Sequence, residues 1–227
     1  MPSSQDMPVG RVTLARAKEI AGSGHLWVYA GFVHAVHGNP IAGDMVDVVM
    51  PNGRFYARGL YNPASKIRIR ILTFVDEPIT ASFWRGRIAQ AVRLRERIVT
   101  NANAYRLIYG EADRLPGLIV DRYDDVLVMQ TLSAGMDRRI ELLADLLCEE
   151  TGLGRVYLRN DVKSRLLEGL STTTGFLRGS GTTTLEVYEG AARFRVDIAR
   201  GQKTGWFCDQ RENRLVAARF AAGADAG

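Results

Sequence analysis

Cysteine and histidine are nearly missing from this chain of 227 residues, which holds two of the former (Cys148 and Cys208) and three of the latter. Two cysteines build no disulfide framework, and no His/Cys cluster stands at metal-ligand spacing, so no metal site is expected. Long hydrophobic runs are lacking as well. No segment approaches the ~20 apolar residues of a membrane span. The first thirty residues hold no apolar stretch behind a basic flank, so no signal peptide is expected and the cytoplasm is the expected location. Also missing are a G-x-S-x-G elbow, a P-loop and a strand-preceded G-x-G-x-x-G. Gly179-Ser180-Gly181-Thr182 is an isolated fragment within residues 171–184, whose Thr, Ser and Gly content reads as a loop or linker. Generic motifs alone do not describe a self-contained enzyme, and no catalytic residue is assigned.

Lysine is scarce too: of 30 basic residues only Lys18, Lys66, Lys163 and Lys203 are lysines. Arginine suits planar, bidentate contacts to phosphate and guanine, although a coding sequence biased in base composition would give the same preference. The net charge of +5 is unevenly spread. Residues 1–73 carry eight basic against four acidic groups, residues 74–190 fifteen against seventeen, and residues 191–227 seven against four. Positive excess at the two ends favours a localised basic surface, for which polyanions are the natural partner.

Hydrophobic residues make up 46% of the chain, enough for a substantial core. Arg11 to Leu14 reads as a strand, followed by a helical stretch around Ala15 to Ile20. Asp44 to Met50, Pro51-Asn52-Gly53 and Arg54 to Tyr61 form a hairpin signal, with Asn-Gly expected to take positive φ. Lys66-Ile67-Arg68-Ile69-Arg70-Ile71 alternates strictly, predicting one apolar face and one face of three cations. With Arg54 and Arg58 on the hairpin, Lys66, Arg68 and Arg70 are the candidate phosphate-binding stripe, an ordinary solvated face being the equal alternative. His25 and Trp27 read as core groups before base-stacking ones.

Helical spacing begins near residue 82, where Trp84, Ile88, Ala91, Val92 and Val99 fall near one stripe. Leu118 to Tyr123 and Val126 to Thr131 flank the turn residues Asp124-Asp125. Met136, Ile140, Leu143, Ala144 and Leu147 mark a further helix, and Arg155 to Arg159 a strand. Val162 to Leu167 reads as a helical turn, and Glu186 to Glu189 with Phe194 to Ile198 as a hairpin around Gly190. Asp209, with Glu212 three positions on, reads as the capping pattern of a last helix.

One segment stands apart: Gly201-Gln202-Lys203-Thr204-Gly205-Trp206-Phe207-Cys208-Asp209-Gln210-Arg211-Glu212-Asn213-Arg214. It crowds amide, ammonium, hydroxyl, aromatic, carboxylate and guanidinium groups at a helix entrance, where unpaired N–H groups favour a small anion. The block resembles the Q-K-T-G-x-F-x-D-Q-R-x-N-R segment of the PUA-containing, S-adenosylmethionine-dependent methyltransferases that modify cytosine C5 in large-subunit rRNA. His25-Leu26-Trp27-Val28-Tyr29-Ala30-Gly31 is similar to the opening of that PUA domain, with Leu26 in place of the usual proline. Gly59 to Pro63, Ile67 to Arg70, Gly110 to Tyr123 and Arg159-Asn160-Asp161 also match, in order, over residues 9–222.

The resemblance implies an α+β, multidomain chain. Residues 1–75 would be a PUA β-barrel that binds RNA, and 76–184 a central small α/β domain for RNA substrate recognition. Residues 185–227 would be the opening hairpin and helix of a Rossmann-like methyltransferase domain. It implies S-adenosylmethionine as cofactor, contacted by Lys203, Thr204, Gly205, Phe207, Asp209, Gln210 and Arg211. It also implies large-subunit rRNA as partner, and it allows a homodimer. The aromatic neighbour suits the adenine and sulfonium, and the cations and amides suit the carboxylate. The family's glycine-rich loop and nucleophilic cysteine would follow beyond Ala222, so the donor pocket is expected to be incomplete and these residues inactive alone. Cys208 stands where the family commonly has leucine.

Overall fold

The computed structural model describes residues 7–15 and 24–224, with side chains through 221. All but the first residue of the helical stretch expected at Ala15 to Ile20 lies outside them. The first sheet has six strands: β1 (Gly10–Leu14), β2 (Trp27–Tyr29), β3 (Val33–His37), β4 (Met45–Val49), β5 (Phe55–Tyr61) and β6 (Ile67–Thr73). They lie in the order β2-β6-β5-β4-β1-β3, with β1 parallel to β4 and the other neighbours antiparallel. Val28 from one edge strand and Val33 from the other pack on one cluster with Val12, Val46, Val48, Ile69 and Ile71, so the sheet curls around its own core.

The β4–β5 hairpin forms as expected, with a different turn. Among its central residues only Gly53 has positive φ (+80°). Its N–H donates to the Met50 carbonyl at 2.9 Å, and the Met50 N–H donates to the Arg54 carbonyl at 2.9 Å. This matches a three-residue loop whose glycine forms a bulge, in place of a two-residue turn.

The second sheet runs β11-β10-β9-β8-β7, from β7 (Ala104–Tyr109), β8 (Leu118–Tyr123), β9 (Val126–Thr131), β10 (Arg155–Asn160) and β11 (Thr173–Arg178). Only the β9–β10 pair is parallel. Two elements depart from expectation. β7 was not foreseen, because its alternation is interrupted by Leu107-Ile108. The loop expected over 171–184 instead contributes edge strand β11. Its threonines and Phe176 suit a pleated, half-buried edge, and the Phe176 ring meets Tyr157 edge-on at 5.0 Å.

Helix α1 (Ala81–Ile98) buries Trp84, Ile88, Ala91 and Val92 against this sheet, four of the five residues of the stripe read from the spacing; Val99 lies just past the helix with extended backbone. The helix expected around Met136 to Leu147 is split into α2 (Ala134–Asp137) and α3 (Ile140–Thr151). At the break Arg139 donates to the carbonyls of Gly43 and Gly135, and Arg138 pairs with Asp44 at 2.5 Å. Met45, Leu60 and Leu72 of the first sheet belong to the same core as these helices, so the two sheets are welded through apolar contact.

A hairpin of β12 (Thr184–Glu189) and β13 (Ala192–Asp197) turns at Gly190. It covers the other face of the second sheet, where Leu185, Val187, Val196 and Ile198 pack on Ala104, Tyr123, Val126, Val128 and Tyr157. Strand β9 is therefore buried along its whole length. Helix α4 (Arg211–Ala224) closes the described residues.

Candidate functional site

The segment from Asp197 to Arg214 leaves β13 through a tight turn. The Asp197 carboxylate accepts the amides of Ala199 (2.9 Å) and Arg200 (3.2 Å), and Gly201 N–H returns to the Asp197 carbonyl at 2.8 Å. Arg159, at the end of β10, clamps the same loop from below. Its guanidinium donates to the carbonyls of Ile198 (2.7 Å) and Gly201 (3.0 Å). Two left-handed residues, Lys203 (φ +55°) and Gly205 (φ +129°), then reverse the chain.

Thr204 is the pin of this loop. It is fully buried, donates from Oγ1 to Asp121 Oδ2 at 2.5 Å, and accepts from the Tyr123 hydroxyl at 2.8 Å. Asp121, also fully buried, takes the Arg106 guanidinium in a fork at 2.9 and 3.0 Å. Such charge-assisted, bidentate pairing offsets the desolvation of an interior carboxylate. Trp206 N–H donates to the Tyr123 oxygen at 3.2 Å, and Cys208 Sγ lies 3.8 Å from it. Burial, reinforced by the Asp121 charge, pushes the Cys208 thiol up to about 12 and raises the Tyr123 phenol. A thiol so placed holds its proton at neutral pH and is no nucleophile.

Outside this pin the polar groups face outward. Lys203 Nζ bonds both Asp209 oxygens at 3.0 and 2.9 Å and sits 4.5 Å from the centre of the Phe207 ring. The Lys203 hydrogen bond holds Asp209 below its ordinary range. Gln210, exposed, accepts from Asn213 at 2.7 Å. Arg214 is inboard: it stacks on Trp206 at 4.5 Å and pairs with buried Glu189. Burial alone would raise Glu189, but its bonds to Arg214 and Trp206 outweigh this and lower it.

Of the seven expected cofactor residues, Lys203, Asp209 and Gln210 are exposed, and half-buried Phe207 lies beside the Lys203 ammonium. Thr204 is a correction, since its hydroxyl is spent inside the protein and no ligand reaches it. Gly205 shapes the turn, and Arg211 ties the helix start to the Thr100 carbonyl. Asp209 does not act as expected either. Its carboxylate holds Lys203, a 3₁₀ turn spans Cys208–Gln210, and the helix starts at Arg211.

The expected cationic stripe does not form. Arg54 and Lys66 are exposed. Arg68 is half-buried and bonds the Pro63 carbonyl. Arg58 is buried among Asp47 (2.7 Å), Asp76 (2.9 Å) and the Glu77 carbonyl. Arg70, with its side chain 12% exposed, bridges Glu168 (3.1 Å) and Glu111 (3.3 Å). The alternation correctly places the cations opposite the apolar face, but carboxylates from outside the strand cover that face. Sequence reasoning missed Arg106, Asp121 and Glu168. The match at Arg159-Asn160-Asp161 was the one signal toward the clamp: Asn160 pairs with Thr131, and Arg159 with the loop.

Among the described residues no group of His, Cys, Asp or Glu could hold a metal ion, and no helix is long and apolar enough to cross a membrane. A PUA-like domain is recognised over residues 12–74, which identifies the curled first sheet. The chain as a whole is similar to ribosomal RNA large subunit methyltransferase I from two species. With that of Shewanella amazonensis it shares 42% identity over 203 residues, 88% of this chain and 51% of that protein. With that of Shewanella denitrificans it shares 41% over 204 residues, with the same coverage. The resemblance read from the sequence is borne out, and the chain spans about half the length of these relatives. Among solved structures, a putative SAM-dependent methyltransferase from Streptococcus mutans has a similar fold, with TM-score 0.72, 15% identity and coverage of 92% of this chain and 53% of that one. A putative methyltransferase complexed with SAH has TM-score 0.74 and 14% identity, covering 92% and 52%.

Proposed function

We propose that these residues are the RNA-gripping part of an S-adenosylmethionine-dependent methyltransferase that acts on C5 of a cytosine in large-subunit (23S) rRNA. In this reading residues 1–75 and 76–184 hold the RNA, and 185–227 open a Rossmann-like donor domain. The observation that carries it is the exposed cluster of Lys203, Asp209 and Gln210 beside Phe207, on a loop anchored from beneath by Thr204 and Arg159. An exposed amide and an aromatic face for its sulfonium or adenine fit such a ligand, whose carboxylate would take Lys203 from Asp209. The bound donor would supply the methyl group.

C5 methylation also needs a thiolate to attack C6 and activate C5. Cys208 is locked as a thiol, and burial raises Cys148 as well, so neither serves. These residues alone therefore bind without methylating. That also leaves room for a second reading, a non-catalytic PUA-type protein that grips structured RNA, which the same lack of a reactive thiolate favours.

The test is binding of a large-subunit rRNA fragment across a salt series, with calorimetry for S-adenosylmethionine alongside. The expected result is RNA affinity that falls linearly on a log–log salt plot, with donor binding too weak to measure. Salt-independent RNA affinity would defeat the gripping role. Micromolar donor affinity would defeat the view that these residues supply only part of the donor site.

A further inference from the structure

A cavity of about 510 Å³ lies where the first sheet meets the second, lined by Trp27 and Arg70 from the first sheet and by Glu111, Leu132, Leu167 and Glu168 from beyond it. That size falls within the roughly 300–1,000 Å³ of small-ligand pockets. We infer that this cavity receives one unpaired nucleobase of a bound RNA; the inference rests on the RNA-binding reading above and deepens it.

Three observations carry it. The first is the aromatic wall. Trp27 is fixed in orientation by its Nε1 donating to Glu111 Oε1 at 2.7 Å, and it carries the Arg70 guanidinium 5.8 Å from its ring centre. His25 and Tyr29 extend the aromatic surface, with centroids 5.7 and 6.2 Å from Trp27. Both are exposed, so the aromatic rim continues outside the cavity. Unpaired bases are held by stacking on such rings and on guanidinium planes.

The second is charge. Glu168 is saturated by Ser65 (2.6 Å), Asn62 (2.9 Å) and Arg70 (3.1 Å). Arg70 is matched by Glu111 and Glu168, so a phosphate gains little by entering while a neutral heterocycle keeps its full stacking energy. Lys66, exposed at the same wall, is placed for the backbone outside.

The third is an open hydrogen-bonding set. Arg70 Nε is buried with no partner. The Glu111 carboxylate, its side chain 35% exposed, meets Trp27 and Arg70 through the same oxygen, Oε1, which leaves Oε2 to accept from a ligand. An unsatisfied buried donor is costly. A donor and an acceptor in one cavity complement the edge of a base, which offers both. Leu167, 76% exposed beside this set, gives the ring an apolar lip.

The experiment compares two RNA stems of identical length and phosphate count with the intact 227-residue chain. One carries a single bulged nucleotide and the other an abasic nucleotide at that position. The expected result is about tenfold weaker binding of the abasic stem, the size of one base–aromatic stack. Glu111→Gln should shrink that ratio and Trp27→Ala should remove it, with the abasic stem bound as before by both. Glu111→Gln keeps the shape of the wall, so the test survives if Trp27→Ala fails to fold. Equal, salt-sensitive binding of both stems by the wild-type chain overturns this inference alone, as does a ratio unchanged in Glu111→Gln. Binding of neither stem overturns the RNA-gripping reading and this inference with it.

Discussion

Thr204 Oγ1 lies 2.5 Å from Asp121 Oδ2, and through that contact the loop after β13 is fastened to the middle of β8. The two are separated widely in sequence and both are fully buried. Asp121 in turn is held by Arg106, so an exposed loop inherits the rigidity of a sheet.

Thr204→Val should therefore be costly although the side chains are nearly the same size. It leaves Asp121 without one donor and the Tyr123 hydroxyl with only the more distant Trp206 carbonyl (3.4 Å) as acceptor, both in the interior. The expected loss is about 1–3 kcal/mol. Urea denaturation should show a lower midpoint with an unchanged slope, the sign of altered stability without altered compactness. A midpoint equal to wild type would remove Thr204 from its role as the pin.

Cys208 gives a pH dependence whose sign is fixed. Its folded-state value is pushed up to about 12, above that of an unfolded thiol, so the fold prefers the protonated form. Its contribution is fully present below the unfolded thiol's range near pH 8.5 and is lost as pH rises from there toward 12. Stability measured from pH 8 to 11 should thus fall less steeply in Cys208→Ala than in wild type. Iodoacetamide at pH 8 should modify Cys208 only in denaturant. Rapid labelling of the native protein would contradict the burial argument.

Much of this was legible in the sequence for local reasons. The Pro51-Asn52-Gly53 turn, the Trp84–Ile88–Val92 stripe and the hairpin at Gly190 are governed by neighbours, and they form where spacing put them. What was hidden depends on partners far along the chain. Alternation in β6 revealed that Arg70 lies opposite the apolar face, but no local signal announces Glu111 and Glu168 as its covers. The same holds for Thr204, whose hydroxyl looked like a ligand contact and is consumed by Asp121. Strand β11 was obscured because edge strands bury little, so their Thr, Ser and Gly content reads as a loop.

Gly135, in α2, tests the weld between the two sheets. A β-carbon there would stand 2.6 Å from Leu60 Cβ, which real side chains do not tolerate. Gly135→Ala should force the helix away from β5 and cost about 1–3 kcal/mol, as overpacking does. Thermal melts should show a lowered midpoint, partly recovered by Leu60→Ala in the same chain. Failure of the double variant to recover any of the loss would place the strain elsewhere.

The cations of the first sheet divide into free and committed groups, and RNA binding should expose the division. Arg54 and Lys66 are exposed and in neither case tied to a carboxylate among the described residues, so each can displace a counterion from a phosphate. Arg54→Ala and Lys66→Ala should each weaken binding and reduce the log–log salt slope by about one. Arg58 is enclosed by Asp47, Asp76 and a backbone carbonyl and has nothing to offer a phosphate. Arg58→Ala should leave the slope of the folded protein as it is, while destabilising it by about 1–3 kcal/mol because half-buried Asp47 loses its partner. Binding by fluorescence anisotropy at four salt concentrations, beside a denaturation curve for each variant, separates the two effects. A slope reduced by Arg58→Ala, or unchanged by both Arg54→Ala and Lys66→Ala, would mean that RNA approaches this sheet from another side.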